Sequence, residues 1–143
     1  MVHGIKKVFL DTNVLLDVVL DREGAARARR IMAMGQIRLY VSFLTMANLS
    51  YVIRRRGVAD CMACLDSMSR LCNVLPMTES QMWEVLHGQQ PADIEDAFQI
   101  MCAEEKECDY IVTSNTAHFK EYTDIPVLTP AEFLSHCKGP LQS

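Results

Sequence analysis

The chain has 143 residues, half of them hydrophobic and 22% charged, which places it among folded globular chains and outside the disordered regime. A net charge of −4 excludes a uniformly basic nucleic-acid binder, although a local basic patch can sit on an acidic whole. The length suits one domain over residues 1–143 with a single core.

KKVFLD (6–11) reads as a short buried strand ending in a carboxylate. NVLLDVVLD (13–21) is apolar apart from Asn13, Asp17 and Asp21, and suits a short helix with Asp17 and Asp21 as caps or solvated positions. REGAARARRIMAMG (22–35) is Ala- and Arg-rich and stops at Gly35, as a second helix does. IRLYVSF (37–43) is the next strand, and LTMANLSYVIRRRG (44–57) the helix after it, ending at Gly57. VADCMACLDSMSRLC (58–72) has apolar residues spaced at threes and fours, the mark of a fourth helix.

NVLPM (73–77) is a short strand, and TESQMWEVLHG (78–88) a helix with Thr78 as cap and Glu79 as first-turn acid. The helix expected over 89–108 has Pro91 near its start and Asp93, Glu95 and Asp96 in its early turns, where the dipole favours anions. DYIVTSN (109–115) is a strand leading to a turn, with His118 near it. IPVL (125–128) is a last strand, and TPAEFLSHC (129–137) a helix capped by Thr129 with Pro130 at its first position. The order β-α-α-β-α-α-β-α-α-β-β-α predicts an α/β layered domain with a mostly parallel sheet.

Six cysteines raise the question of disulfides or metal. The start of the sequence has no apolar leader and no stretch reaches the ~20 apolar residues of a membrane span, so reduced thiols in a cytoplasmic protein are expected. Cys61 and Cys64 form a CxxC pair, but no second pair completes a zinc site.

In open parallel sheets, ligands sit beyond the carboxyl ends of the strands. Asp11, Thr12 and Asn13 follow the first strand, and Ser42 and then Asn48 the second. Thr113, Ser114 and Asn115 follow the fourth, with Asp93, Glu95 and Asp96 on the helix before it. Asp11 and Asp96 are thus placed to meet. Asp93 and Asp96, three apart, share a helix face, and Glu95 is expected to point elsewhere. Oxygen-only donors suit Mg²⁺ or Mn²⁺, and a cation gives crowded carboxylates a reason to coexist. First-turn acids also serve the helix dipole, and Asp11 could cap the next helix. No Gly-rich phosphate loop follows the first strand, which argues against a nucleotide-binding domain.

The segments VFLDTNVLLDVVL, VSFLTMANLSYVI, DIEDAFQIMCAEEKECDYIVTSNTAHF and IPVLTPAEFL, in that order, resemble a PIN domain, as found in the toxin halves of bacterial VapBC toxin–antitoxin pairs. The resemblance implies a three-layer α/β/α sandwich with a sheet of four or five strands, and a Mg²⁺- or Mn²⁺-dependent ribonuclease. It places Asp11 and Asp96 on two family acids, with Asp93 and Glu95 beside the latter. Asn48 and Asn115 stand where the family has the other two. Thr12, Asn13, Thr113 and Ser114 match positions that line the site and orient ligands.

Each amide removes a negative charge but keeps an oxygen, so one ion is expected rather than two, held by Asp11 and Asp96 with Asp93 as a spare carboxylate. Arg54 and Arg55, with Arg56 beyond them, and Arg27, Arg29 and Arg30 could meet RNA phosphates or the acids of an antitoxin, or complement helix dipoles. His118 is expected on a surface loop, with phosphate contact or proton transfer as the alternative. The apolar 13–20 helix and the many methionines suit a homodimer, an antitoxin peptide or plain core burial. The alternative function is a PIN-fold module that holds RNA or protein without cutting.

Overall fold

The computed structural model describes residues 4–88 and 93–137. In chain order the elements are β1 (Lys6–Leu10), α1 (Thr12–Val19), α2 (Ala25–Met32), β2 (Ile37–Ser42), α3 (Phe43–Arg55), α4 (Cys61–Leu71), β3 (Asn73–Leu75), α5 (Glu79–His87), α6 (Ile94–Glu105), β4 (Tyr110–Val112), α7 (Ala117–Lys120), β5 (Val127–Leu128) and α8 (Pro130–Cys137). The five strands form one sheet in the order β3-β2-β1-β4-β5, and every pairing is parallel.

Side-chain alternation along the strands divides the interior in two. Val8, Leu10, Leu39, Val41 and Val112 point to one face, where they pack with Val14, Leu15, Ala28, Ile31, Leu49, Ile53 and Phe133 from α1, α2, α3 and α8. Phe9, Tyr40 and Ile111 point to the other, against Ile100, Cys102 and Ala103 of α6 and Phe119 of α7. The result is the three-layer α/β/α sandwich. Both sheet faces are covered, which is why the strands read as continuous apolar runs.

Two features depart from the expected order. A four-residue helix, α7, sits between β4 and β5, and His118 lies in it rather than in a loop. α6 begins at Ile94 with Asp93 as its N-cap, so Asp93 precedes the first turn instead of lying within it. The residues expected to open that helix, among them Pro91, lie outside the described ones. Thr78 caps α5 as expected, in a capping box closed by Gln81.

The apolar helix α1 spends Val14, Leu15 and Leu16 on the core. All six cysteines are free thiols. Among the described residues no helix is long and apolar enough to cross a membrane.

Candidate active site

The sheet order reverses between β1 and β4: from β1 the chain proceeds to β2 on one side, while β4 lies on the other. Such a switch point opens a crevice at the carboxyl ends of the two strands. Asp11 sits there. Its backbone N–H donates to the Val112 carbonyl at 3.0 Å, extending the β1–β4 ladder by one residue.

The Asp11 side chain is 4% exposed. Oδ1 accepts from the Thr12 backbone N–H at 2.9 Å, and more distantly from Gln99 Nε2 at 3.5 Å; Oδ2 accepts from the Thr113 hydroxyl at 2.9 Å. Capping α1 therefore occupies one oxygen only. A carboxylate offers about four lone-pair directions, and among the described residues Oδ2 has one left uncommitted.

Beneath Asp11 lies a buried polar network that the sequence reading did not anticipate. Gln99, fully buried in the middle of α6, receives the Ser42 hydroxyl on Oε1 at 2.6 Å. Its Nε2 donates to Thr12 Oγ1 at 2.9 Å and to Thr45 Oγ1 at 2.8 Å. Thr12 and Thr45 share a hydrogen bond of 2.7 Å. Among the described residues no buried side-chain nitrogen or oxygen lacks a partner. Gln99 follows Asp96 by three residues and so shares its face of α6, a spacing that could have exposed it inside the apolar run AFQIMCA.

Three further acids face Asp11 from the start of α6. Asp93 accepts from the Glu95 backbone N–H at 2.8 Å. Asp96 lies 3.6 Å from His118 Nδ1. Glu95 does not point elsewhere. It accepts a 2.7 Å hydrogen bond from Asn48 Nδ2 and feels the charge of Asp11, which brings it into the crevice. Asp93 lies outside the helix, so positions 93 and 96 do not define a single helical face and Glu95 is not turned away from the crevice.

The electrostatics follow. Burial first, then the charges of Asp93 and Asp11, push the Asp96 carboxyl up to about 6, with His118 pulling the other way. Burial raises Asp11 against the pull of its hydrogen bonds from Thr113, Thr12 and Gln99. Burial and then the charges of Asp11 and Asp93 raise Glu95. Among the described residues no lysine or arginine pairs with any of the four acids. The donor set is oxygen-rich and anionic, with His118 beside Asp96 but no lysine or arginine partner among the described residues, which suits a hard divalent cation. As the side chains stand, no three acid, histidine or cysteine groups among the described residues enclose a point closely enough to hold an ion. The fit is to an ion that takes two carboxylates and completes its shell with water, the habit of Mg²⁺.

The remaining candidates divide. Thr12 and Thr113 are buried against Asp11, and Asn13 is half-buried in the first turn of α1. Ser114 and Asn115 are exposed, the Asn115 backbone N–H bonding Thr113 Oγ1 at 3.1 Å. Arg54 and Arg55 lie in the last turn of α3, about 10 Å along the axis from Asn48. Arg55 is engaged with Tyr51, whose hydroxyl accepts from it at 3.3 Å.

A family model described as PIN domain matches residues 7–117. No curated protein matches the chain. Among solved structures, VapBC-1 from nontypeable Haemophilus influenzae is similar with a TM-score of 0.66 at 20% identity, over 87% of this chain and 98% of that one. A toxin–antitoxin complex from Klebsiella pneumoniae gives 0.66 at 18%, over 86% and 97%. Mycobacterium tuberculosis VapC20, a sarcin–ricin loop cleaving toxin, gives 0.60 at 14%, over 73% and 86%. At these identities the likeness is one of fold.

Proposed function

The chain belongs to the PIN domain family, and from that premise we propose that it is a metal-dependent endoribonuclease, the toxin-like member of a toxin–antitoxin pair. The observation that carries the reading is the convergence of Asp11 and Asp96 at the switch point of the sheet, among acids that no lysine or arginine neutralises among the described residues.

Asp11 and Asp96 hold one Mg²⁺ or Mn²⁺ ion, with Asp93 as the spare carboxylate. Such an ion supplies positive charge to a phosphodiester and makes water a better nucleophile at neutral pH. The rest of the work belongs to the chain. Thr113 and the Thr12 backbone N–H fix the rotamer of Asp11, so its open lone pair needs no reorganisation when a ligand arrives. Thr12, Asn13, Thr113 and Ser114 orient the phosphate, with the Asn48 and Asn115 amides as neutral members of the site. Arg54 and Arg55 take phosphates of the RNA strand further along α3.

RNA as substrate is favoured by VapC20, which cleaves the sarcin–ricin loop. An antitoxin partner is favoured by the complexes among the similar structures. A homodimer is compatible with the exposed Met82, Trp83 and Leu86 of α5, and the compartment we assign is the cytoplasm.

The test is cleavage of a mixed RNA pool with chelator, Mg²⁺ or Mn²⁺, using wild type, Asp11→Asn and Asp96→Asn. Cutting that needs the ion and disappears in both variants is expected. RNA retained by the wild type but uncut at high Mn²⁺ would replace the enzyme with a PIN-fold binding module, the reading that the amides at 48 and 115 favour.

A further inference from the structure

Position 48 carries an amide, and that amide is occupied. Asn48 Nδ2 donates to Glu95 Oε1 at 2.7 Å, joining the second turn of α3 to the first turn of α6 across the crevice. Glu95 also lies within electrostatic reach of both Asp11 and Asp93. An ionised carboxylate at position 48 could not make this contact. Two ionised carboxylates at that separation repel and meet only by taking up a proton between them, which would cost one charge, whereas an amide N–H donates and a carboxylate accepts with its charge kept.

The pairing is therefore specific in sense: the amide at 48 is what allows a carboxylate from α6 to occupy this wall of the crevice. We propose that Glu95 supplies the negative charge that position 48 lacks, acting as an acid of the cation site while Asn48 is its positioning residue. The inference rests on the metal-site reading above and goes beyond it. The negative charge on this wall of the crevice then comes from α6, with α3 contributing the amide that holds it. Asp11 from the end of β1 and Asp96 from α6 remain the two carboxylates that would touch the cation, and Glu95 adds its charge from the wall of the crevice. Asp93 is left free to cap its helix.

Uptake of Mn²⁺, followed by the loss of the free-ion electron paramagnetic resonance signal, tests this without reference to RNA cutting. Glu95→Gln is expected to weaken Mn²⁺ binding about tenfold, the order of one lost charge at close range. Asp96→Asn should do the same, while Glu84→Gln on exposed α5 titrates as wild type. Glu95→Asp keeps the charge with a shorter reach and should fall between wild type and Glu95→Gln, which separates the charge from any disturbance of folding. The double exchange Asn48→Glu with Glu95→Gln puts the acid on α3 and the amide on α6, and should recover most of the lost affinity.

A Glu95→Gln protein that binds Mn²⁺ as wild type does, while Asp11→Asn does not, would overturn the role of Glu95 and leave the metal site standing. A double exchange no tighter than Glu95→Gln alone would likewise overturn the exchange of places. Wild type that takes up no Mn²⁺ would remove the metal-site reading, and the role of Glu95 with it.

Discussion

Asp96 is held where its surroundings oppose its charge, since burial and the neighbouring Asp93 and Asp11 carry its carboxyl to about 6. A raised carboxyl contributes stability that is present at low pH, below its unfolded value near 3.8, and lost as pH rises through about 6. Asp11 and Glu95 are raised as well and act in the same direction. The ion-free protein should therefore be more stable at pH 5 than at pH 7.5. Asp96→Asn should stabilise it by about 1 kcal/mol at pH 7.5, solvent screening taking most of the ~3 kcal/mol that the full change would carry. Urea melts in chelator at the two pH values read this out, and an unchanged pH slope in Asp96→Asn would contradict it. Gln99 gives the opposite sign. Gln99→Leu leaves the Ser42 hydroxyl and the pair Thr12 and Thr45 short of partners in a buried network, and should cost about 2 kcal/mol in a urea melt.

The element that matters most is α6, which carries Glu95, Asp96 and Gln99 on its first two turns and is capped by Asp93. Its far end is strained. Glu107 adopts φ 56 where the Cys108 N–H returns to the Ala103 carbonyl, a left-handed closure that glycine makes without cost. Relief of about 1 kcal/mol, less the greater freedom of glycine in the unfolded chain, predicts that Glu107→Gly gains about 0.5 kcal/mol. Its Mn²⁺ uptake should stay unchanged, because Glu107 lies at the end of α6 away from the acids. A loss of stability in the same melt would refute the assignment of strain.

The long helices were legible in the sequence because their apolar spacing and end signals agree: Thr78 with Glu79 at the start of α5, and Glu95 and Asp96 in the first turn of α6. α7 was not, since four residues are too few to show a period. The orientation of Glu95 was hidden for a related reason. Whether Asp93 lies in or before the helix shifts the face assigned to everything after it, and boundary residues are where periodicity says least.

At the scale of the molecule, the strand order β3-β2-β1-β4-β5 creates the crevice. The alternation of strands and helices predicted a parallel sheet, but only pairing reveals that β1 and β4 are neighbours, with Val8, Phe9 and Leu10 against Tyr110, Ile111 and Val112. That adjacency brings Thr113 to Asp11 across 102 residues of sequence. Asp11 and Asp96 could be singled out from strand ends and the family resemblance, whereas Gln99 and the Asn48–Glu95 bond depend on how α3 and α6 pack around the crevice. In the proposed function this crevice is a cation site built on Asp11 and Asp96. A crystal structure of the protein soaked in Mn²⁺, with anomalous scattering recorded, tests it most directly. A single peak in contact with the carboxylates of Asp11 and Asp96 is expected; a crevice without a peak, with the two carboxylates turned apart, would remove the site.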